Sequence, residues 1–231
     1  MVEATSPKQA AGYAAAKLVK TGMKLGLGTG TTVAFFLQAL AERIKQEGLE
    51  VVGVATSVQT AELARTLGIP ISDLDHYPAL DLVIDGADEV DSKFRLIKGG
   101  GGALLREKIV AAASAQVAII IGSGKRVARL GTTFLLPVEV IPFGHVTTRE
   151  SVAKIGNCTP YIRTTEEGEP FVTDNGNYIF DCRFADGIAN PEQLHADLSQ
   201  IPGVAEVGLF LNLCDMVIEG QDDGQAVTLI R

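Results

Sequence analysis

The chain has 231 residues, of which 46% are hydrophobic and 21% are charged, with 20 Lys and Arg against 28 Asp and Glu. These values are ordinary for a globular protein, so they argue against intrinsic disorder, collagen-like repeats and disulfide-built miniproteins. The net charge of −8 disfavours nonspecific nucleic-acid binding, which needs a concentrated Lys and Arg surface.

The first part of the chain alternates between helical and strand patterns. Helix-start signals, apolar residues at helical spacing and terminating glycines predict helices over 7–20, 33–44, 57–67 and from 103. Short apolar or β-branched runs predict strands over 23–27, 49–55, around 69, 80–84 and 116–121. This alternation predicts a Rossmann-like α/β fold, a mostly parallel sheet with helices on both faces that binds ligands at the carboxyl ends of its strands.

The pattern changes near residue 131. A strand between Pro137 and Pro142 is followed by a helix over 146–155, two strands that flank a turn at 174–177, a helix over 191–200 and a strand over 204–210. That order suits a smaller α+β ferredoxin-like domain. The last strands, over 215–219 and 226–230, are predicted to rejoin the first sheet. The expected domains are therefore 1–130 with 208–231, and 131–207.

The three cysteines, Cys158, Cys182 and Cys214, are odd in number and lack CxxC spacing. Neither a disulfide framework nor a zinc site is expected, and reduced, buried thiols are predicted. The N-terminal segment lacks a long apolar stretch, and the strongest apolar run, residues 117–121, is far too short to span a bilayer. We expect a cytoplasmic protein that binds neither membrane nor nucleic acid.

A turn rich in Gly and Thr, GLGTGTT at residues 26–32, lies between the first predicted strand and the second helix. Unpaired backbone N–H groups and the positive end of the helix favour a phosphate there, and the threonine hydroxyls add donors. The turn matches neither the dinucleotide fingerprint, whose third glycine would fall on Thr31, nor a Walker A loop. A tight turn capped by threonine is the alternative.

An Asp-Gly-Ala-Asp segment follows the apolar strand predicted over 80–84, so Asp85 is expected at the carboxyl edge of the sheet. Gly86 allows a backbone angle that would swing Asp88 toward the same pocket. Two carboxylates there can handle proton transfers among sugar oxygens. An Asx turn that caps the strand is the alternative. A solvated loop is expected for the charged residues that follow, Glu89, Asp91 and Lys93.

Four consecutive glycines, residues 99–102, follow Lys98. Because ordering glycines costs backbone entropy, a purely structural role explains this run poorly. The run predicts a loop whose backbone approaches a ligand beside a fixed cation. A helix from Ala103 points Glu107 back toward the loop, so a base and a cation are expected to share one pocket. Compensation of the helix dipole is the alternative for Glu107.

Two further lysines are candidates. Lys125 ends the last strand before the pattern changes and can reach the same sheet edge, and Lys8 is unfavourably placed for the dipole of the first helix. The histidines, His76, His145 and His195, show no spacing that builds a metal site, so no metal and no other cofactor is expected.

These segments, with LPVEVIPF at 136–143, VTDNGN at 172–177 and IPGVAEVGLF at 201–210, resemble the A-type ribose-5-phosphate isomerases along essentially the whole chain. The resemblance implies a homodimeric or homotetrameric enzyme of the non-oxidative pentose phosphate pathway. It would interconvert ribose 5-phosphate and ribulose 5-phosphate without a metal.

The resemblance also implies residue roles. Glu107 would be the base that moves a proton between C2 and C1, and Lys98 with the glycine-loop amides would stabilise the enediolate. Asp85 and Asp88 would assist ring opening and the transfers at O1 and O2. Contacts to the substrate are implied for Lys8, Thr29, Gly30, Thr31, Thr32, Gly86, Ala87, Gly99, Gly100, Gly101 and Lys125.

Other functions stay open on the residues alone. A sugar-phosphate-sensing regulatory domain of this general fold would need an attached DNA-binding module, and the roughly 25 residues before the first loop are too few for one. A transferase that works through a covalently modified Glu would show a hydroxylamine-sensitive intermediate. A hydride-shift isomerase would need a divalent metal with clustered ligands.

Overall fold

The computed structural model describes residues 4–231, which divide by their contacts into two compact units. The first unit comprises the described residues up to Ala87, together with Arg106–Lys125 and Leu213–Arg231. The second comprises Asp88–Leu105 and Arg126–Asn212. The domains predicted from the sequence differ mainly in placing residues 88–105 with the first part of the chain.

The helices are α1 (Pro7–Ala16), α2 (Thr31–Glu47), α3 (Val58–Thr66), α4 (Leu104–Ala112), α5 (His145–Gly156) and α6 (Pro191–Ser199). The strands of the first unit are β1 (Lys24–Leu27), β2 (Val52–Ala55), β3 (Ile71–Ser72), β4 (Leu82–Gly86), β7 (Val117–Ile121), β13 (Met216–Gly220) and β14 (Ala226–Ile230). Those of the second unit are β5 (Glu89–Val90), β6 (Leu96–Ile97), β8 (Leu136–Val140), β9 (Thr159–Ile162), β10 (Tyr178–Arg183), β11 (Val204–Val207) and β12 (Leu209–Phe210).

The first unit is built on a seven-stranded sheet in the order β14-β13-β7-β4-β1-β2-β3, parallel except for the edge strand β14. Leu25 and Leu27 of β1 join a core that includes Phe36 and Leu40 of α2. Gly26 between them lies against Val110 of α4. Helices therefore cover both faces, as predicted, and the last two strands rejoin this sheet as predicted.

The second unit contains the predicted ferredoxin-like fold. Its elements β8-α5-β9-β10-α6-β11 form an antiparallel four-stranded sheet in the order β11-β8-β10-β9. One face packs on the helices through a core that includes Val138, Val152, Phe180 and Leu198. A small antiparallel sheet, β12-β6-β5, completes the unit.

The two strands predicted to flank the turn at residues 174–177 do pair as an antiparallel hairpin, but the connection between them is longer than that turn. The turn itself forms, because Gly176 N–H donates to Thr173 O at 2.9 Å. β10 pairs antiparallel with β9, and residues 163–177 connect them. The buried Glu139 of β8 explains the difference, because its Oε1 accepts from Thr173 Oγ1, Asn175 Nδ2 and Asn177 Nδ2 at 3.0, 3.1 and 2.9 Å. The turn therefore folds around this carboxylate.

The strand predicted over 204–210 divides at Gly208, so that β11 pairs with β8 while β12 pairs with β6. Gly208 N–H donates to Pro137 O at 2.8 Å, and Lys98 N–H donates to Gly208 O at 2.9 Å. A Cβ at Gly208 would lie 2.5 Å from Lys98 O and 2.8 Å from Pro137 O. Only glycine allows one chain segment to serve both sheets at this spacing.

The first helix is shorter than predicted, ending at Ala16 with Lys17 as its C-cap. The three cysteines of the described chain are free. Burial, the largest effect, raises the pKa of the Cys214 thiol to about 12, so this thiol stays protonated near neutral pH. None of the helices within residues 4–231 combines the length and apolar character that crossing a membrane requires.

Candidate active site

The phosphate-binding loop predicted at residues 26–32 lies at the carboxyl end of β1 and leads into α2. Gly30 is the N-cap of α2 with φ +117°, and it offers no side-chain cap, so the first N–H groups of the helix could donate to an anion. Lys8 Nζ donates to Thr31 Oγ1 at 2.9 Å. The structure thus brings Lys8, Gly30 and Thr31 together, with Thr32 in the first turn of the helix.

Thr29 has partners within the unit for both of its donor groups. Its N–H donates to Asp85 Oδ1 at 3.0 Å. Its hydroxyl lies 2.7, 2.9 and 3.2 Å from the side-chain oxygens of Thr56, Ser57 and Thr60. Thr29 therefore joins the loop to β4 and to the start of α3.

Asp85 lies inside β4 rather than after it, and only 2% of its surface is exposed. Its Oδ1 accepts from Gly86 N–H at 2.7 Å as well as from Thr29. A Cβ at Gly28 would overlap this carboxylate, so glycine is required there. The pair β1 and β4 flanks the point where the strand order reverses, which is where open α/β sheets bind ligands. The unusual backbone angle expected at Gly86 is wrong, because this residue completes the strand.

The register of the small sheet places Asp88 opposite Lys98. Glu89 pairs with Ile97, and Asp88 N–H donates to Ile97 O at 2.8 Å. Asp88 Oδ2 accepts from Gly100 N–H at 2.8 Å, so the carboxylate also fixes the glycine loop. Lys98 is 3% exposed, and its Nζ lies 5.4 Å from the centroid of the Phe210 ring, a favourable cation–π distance.

At three of the four positions in the loop, backbone conformation or close neighbours explain why the residue is glycine. Gly99 and Gly102 have φ values of +107° and +80°. A Cβ at Gly100 would lie 2.6 Å from Asp88 Oδ1, and one at Gly102 would lie 2.6 Å from the Phe171 ring. Gly101, between them, is exposed. The loop is therefore closely fitted to its own unit.

Glu107 lies in the first turn of α4, near the start of the helix as the sequence predicts, and is 4% exposed. The helix begins at Leu104, one residue later than predicted. Lys125 follows β7, on the carboxyl side of the same parallel sheet, and is half-buried. The first unit thus carries Lys8, Thr29–Thr32, Asp85–Ala87, Glu107 and Lys125, and the second carries Asp88 and Lys98–Gly101.

Glu89 is a residue whose importance the sequence analysis missed. It was expected in a solvated loop, but it is fully buried. Its carboxylate accepts from the N–H groups of Gly131, Thr133 and Phe134 at 2.6, 2.6 and 2.7 Å, and from Thr133 Oγ1 at 2.7 Å. The nest of backbone donors replaces the water that a buried charge loses. Glu89 thereby ties β5, next to Asp88, to the segment before β8.

The other two residues of the expected solvated loop differ from each other. Asp91 is buried and accepts from Lys93 N–H, Arg95 N–H and Arg95 Nε at 2.9, 3.0 and 2.7 Å. Only Lys93 is exposed, as expected. Asp91 therefore shapes the turn between β5 and β6.

Replacing Glu89 by Ala is expected to lower the free energy of unfolding by about 3 kcal/mol, because four donors lose a charged acceptor and buried N–H groups are left unsatisfied. Guanidinium unfolding of the variant measures this loss. The exposed Glu166 gives the control, since Glu166→Ala removes the same charge without a buried contact. Equal midpoints for both variants would contradict the structural role of Glu89.

Within residues 4–231, no three His, Cys, Asp or Glu side chains are grouped so that they could hold a metal ion.

The family model described as ribose 5-phosphate isomerase A (phosphoriboisomerase A) matches residues 52–224. Ribose-5-phosphate isomerase A of Parvibaculum lavamentivorans is 51% identical over 228 residues, covering 96% of this chain and 97% of that protein. The protein of the same name from a Synechococcus species is 50% identical, covering 97% of each.

Solved structures agree with these relatives. Ribose 5-phosphate isomerase from Plasmodium falciparum superposes with a TM-score of 0.93 at 37% identity, covering 97% of each chain. A D-ribose-5-phosphate isomerase in complex with phospho-erythronic acid gives 0.92 at 38% identity, with the same coverage. The fold prediction is confirmed, and the regulatory-domain alternative is not favoured. The chain belongs to the ribose-5-phosphate isomerase A family, an isomerase family.

Proposed function

We propose that this chain interconverts D-ribose 5-phosphate and D-ribulose 5-phosphate by proton transfer through an enediolate. The observation that carries the proposal is the near-complete burial of Glu107 in the first unit and of Lys98 in the second, in a chain that is 51% identical to an isomerase of this name. Burying a charge costs free energy, and each of these residues stands in a motif that resembles the family. Proton abstraction beside a carbonyl needs both a base and a cation.

The N-terminus of α2 is proposed to bind the phosphate of the substrate. The N–H groups near Gly30, Thr31 and Thr32 supply hydrogen-bond donors, and Lys8 and Lys125 supply charge. Thr29 is also proposed to contact the substrate, and its N–H bond to Asp85 Oδ1 holds the loop against β4. Gly86 and Ala87 continue the chain from Asp85 to Asp88 and are proposed to line the sugar site.

Glu107 is proposed to remove the proton from C2 of the open-chain aldose. The electron pair of that C–H bond forms the C1–C2 double bond, and negative charge develops on O1. Lys98 and the amides of Gly99–Gly101 stabilise this charge. Glu107 then returns a proton to C1 while the proton of O2 is transferred to O1, so that O2 becomes the ketone oxygen and O1 becomes a hydroxyl. Asp85 and Asp88 are proposed to assist ring opening and the transfers at the two oxygens.

Incubation of metal-free protein with ribose 5-phosphate in D₂O tests this function. We expect ribulose 5-phosphate to appear with deuterium at C1, because the transferred proton exchanges with solvent while Glu107 carries it. Full activity is also expected in excess EDTA. NMR follows the ketose and the label. Ketose without label, together with loss of activity in EDTA, would indicate a metal-assisted hydride shift instead.

A homodimer or homotetramer in the cytoplasm is proposed as the state of the enzyme. The free thiols fit a reducing compartment, and the resemblance to the family is the basis for the oligomer. Light scattering of the purified chain measures the oligomeric mass, and a monomer at all concentrations would contradict this part of the proposal.

A further inference from the structure

Arg163 connects the glycine loop to the four-stranded sheet of the second unit. Its Nη1 donates to Gly99 O at 2.9 Å and to Gly100 O at 3.2 Å. Its Nε and Nη2 donate to the two carboxylate oxygens of Asp181 at 2.9 and 2.6 Å. The Arg163 side chain is only 14% exposed. A bidentate pair at this depth fixes the guanidinium plane.

The loop rests on the sheet face opposite the helices. Phe180 and Cys182 of β10 point into the core under the helices, so Asp181 between them lies on the other face. A Cβ at Gly99 would lie 3.1 Å from Pro137 Cβ of β8, which brings the loop against this face. Phe171 also packs here, with its ring centroid 5.8 Å from Arg163 Cζ. The glycine loop therefore packs on apolar side chains of this face, and the hydrogen bonds from Arg163 fix its orientation.

The two carbonyls that Arg163 binds determine where the next N–H groups point. In a trans peptide plane the C=O and the following N–H point in opposite directions. Holding the carbonyls of Gly99 and Gly100 thus directs the N–H groups of Gly100 and Gly101 away from the guanidinium. The Gly100 N–H reaches Asp88 Oδ2. Because glycine accepts many backbone angles, these planes would rotate easily without a partner.

We infer that Arg163, oriented by Asp181, is a positioning residue that sets the peptide planes of the glycine loop and so its amide donors. This inference rests on the proposed role of Lys98 and that loop in stabilising the enediolate. Arg163 acts through the loop and is not assigned a contact with the substrate.

The variant Arg163→Ala is expected to lower kcat about 10- to 100-fold, because a small displacement of an oxyanion donor has an effect of this size. KM for ribose 5-phosphate should change less than about threefold. Inhibition by inorganic phosphate should be unchanged, since the residues proposed to bind phosphate belong to the first unit. Arg163→Lys should recover part of kcat, because an ammonium can donate to a backbone carbonyl but cannot form the bidentate pair with both oxygens of Asp181.

Arg183→Ala is the matched control, because Arg183 is an exposed arginine of the same strand as Asp181. It should leave kcat unchanged. A wild-type kcat in Arg163→Ala would overturn the inference. A fall in kcat together with a higher KM, weaker inhibition by phosphate and a lower melting temperature would also overturn it. That combination would indicate that the whole fold is destabilised. Lys98→Ala measured alongside separates the two proposals, since a normal kcat there contradicts the role of Lys98 itself.

Discussion

Glu107→Gln is expected to lower kcat by about 10²- to 10⁴-fold, the range that a well-placed general base contributes. Glutamine keeps the shape of the side chain and can form hydrogen bonds, but it cannot accept the proton from C2. The effect should therefore appear in kcat, with KM for ribose 5-phosphate changed little. Deuterium incorporation at C1 should fall together with the rate.

Glu62→Gln provides the matched comparison, because Glu62 is an exposed glutamate of α3. It removes the same charge at a helix surface and should leave kcat unaltered. The decisive measurement is the rate at which deuterium from the solvent is incorporated at C1. If Glu107→Gln still exchanges the C2 proton with solvent at the wild-type rate, another group is the base.

Lys98→Ala is expected to lower kcat by about 10²- to 10³-fold, as loss of one oxyanion donor does in other enzymes. The ammonium is buried beside Phe210, in surroundings of low dielectric where a charge acts strongly on developing negative charge. Substrate binding through the phosphate should persist. The measurement is the steady-state rate at saturating ribose 5-phosphate.

Lys93→Ala is the control for this experiment. Lys93 lies in the turn between β5 and β6, on the same small sheet as Lys98, but is exposed. Its removal should change kcat by less than about twofold, since screened surface charges contribute little. A kcat for Lys98→Ala similar to that of Lys93→Ala would show that Lys98 serves the fold of the small sheet rather than the reaction.

The sequence predicts most of the architecture because its signals are local. The run at Val117–Ile121 is apolar throughout, as a strand covered on both faces requires. Ser57 caps α3 through Thr60 N–H at 3.0 Å, and Gly68 follows the helix with φ +77°. Each of these features depends on residues within one turn or strand. The order of elements in both units could therefore be predicted.

The errors arise where a distant residue decides the local structure. Glu139 accepts a hydrogen bond from Thr173 more than 30 positions away, and the connection between β9 and β10 is longer than the predicted four-residue turn. Gly208 is read as part of one strand, but its neighbours Lys98 and Pro137 divide that strand between two sheets. Propensity and periodicity carry no information about such partners.

The candidate site shows the same division. The glycine loop, the threonine turn and the Asp-Gly-Ala-Asp segment stand out as motifs. The residues that support these motifs cannot be recognised in the sequence. Glu89 looks like one more acidic residue after Asp88, and Arg163 is an ordinary basic residue between a strand and a turn. Their partners, at residues 131–134 and in the glycine loop, are 42 or more positions away. These partners can therefore be identified only in the folded structure.

The bond from Lys98 N–H to Gly208 O has a consequence for biosynthesis. The lysine is translated more than a hundred residues before the glycine that holds its backbone, and β13, which completes the interior of the large sheet, follows later still. A ribosome-bound chain that ends before residue 208 therefore contains the turn at residues 26–32 but lacks the bond that holds the backbone of Lys98. Contacts between such distant segments slow folding. We expect catalytic competence to appear only after nearly the whole polypeptide has left the exit tunnel.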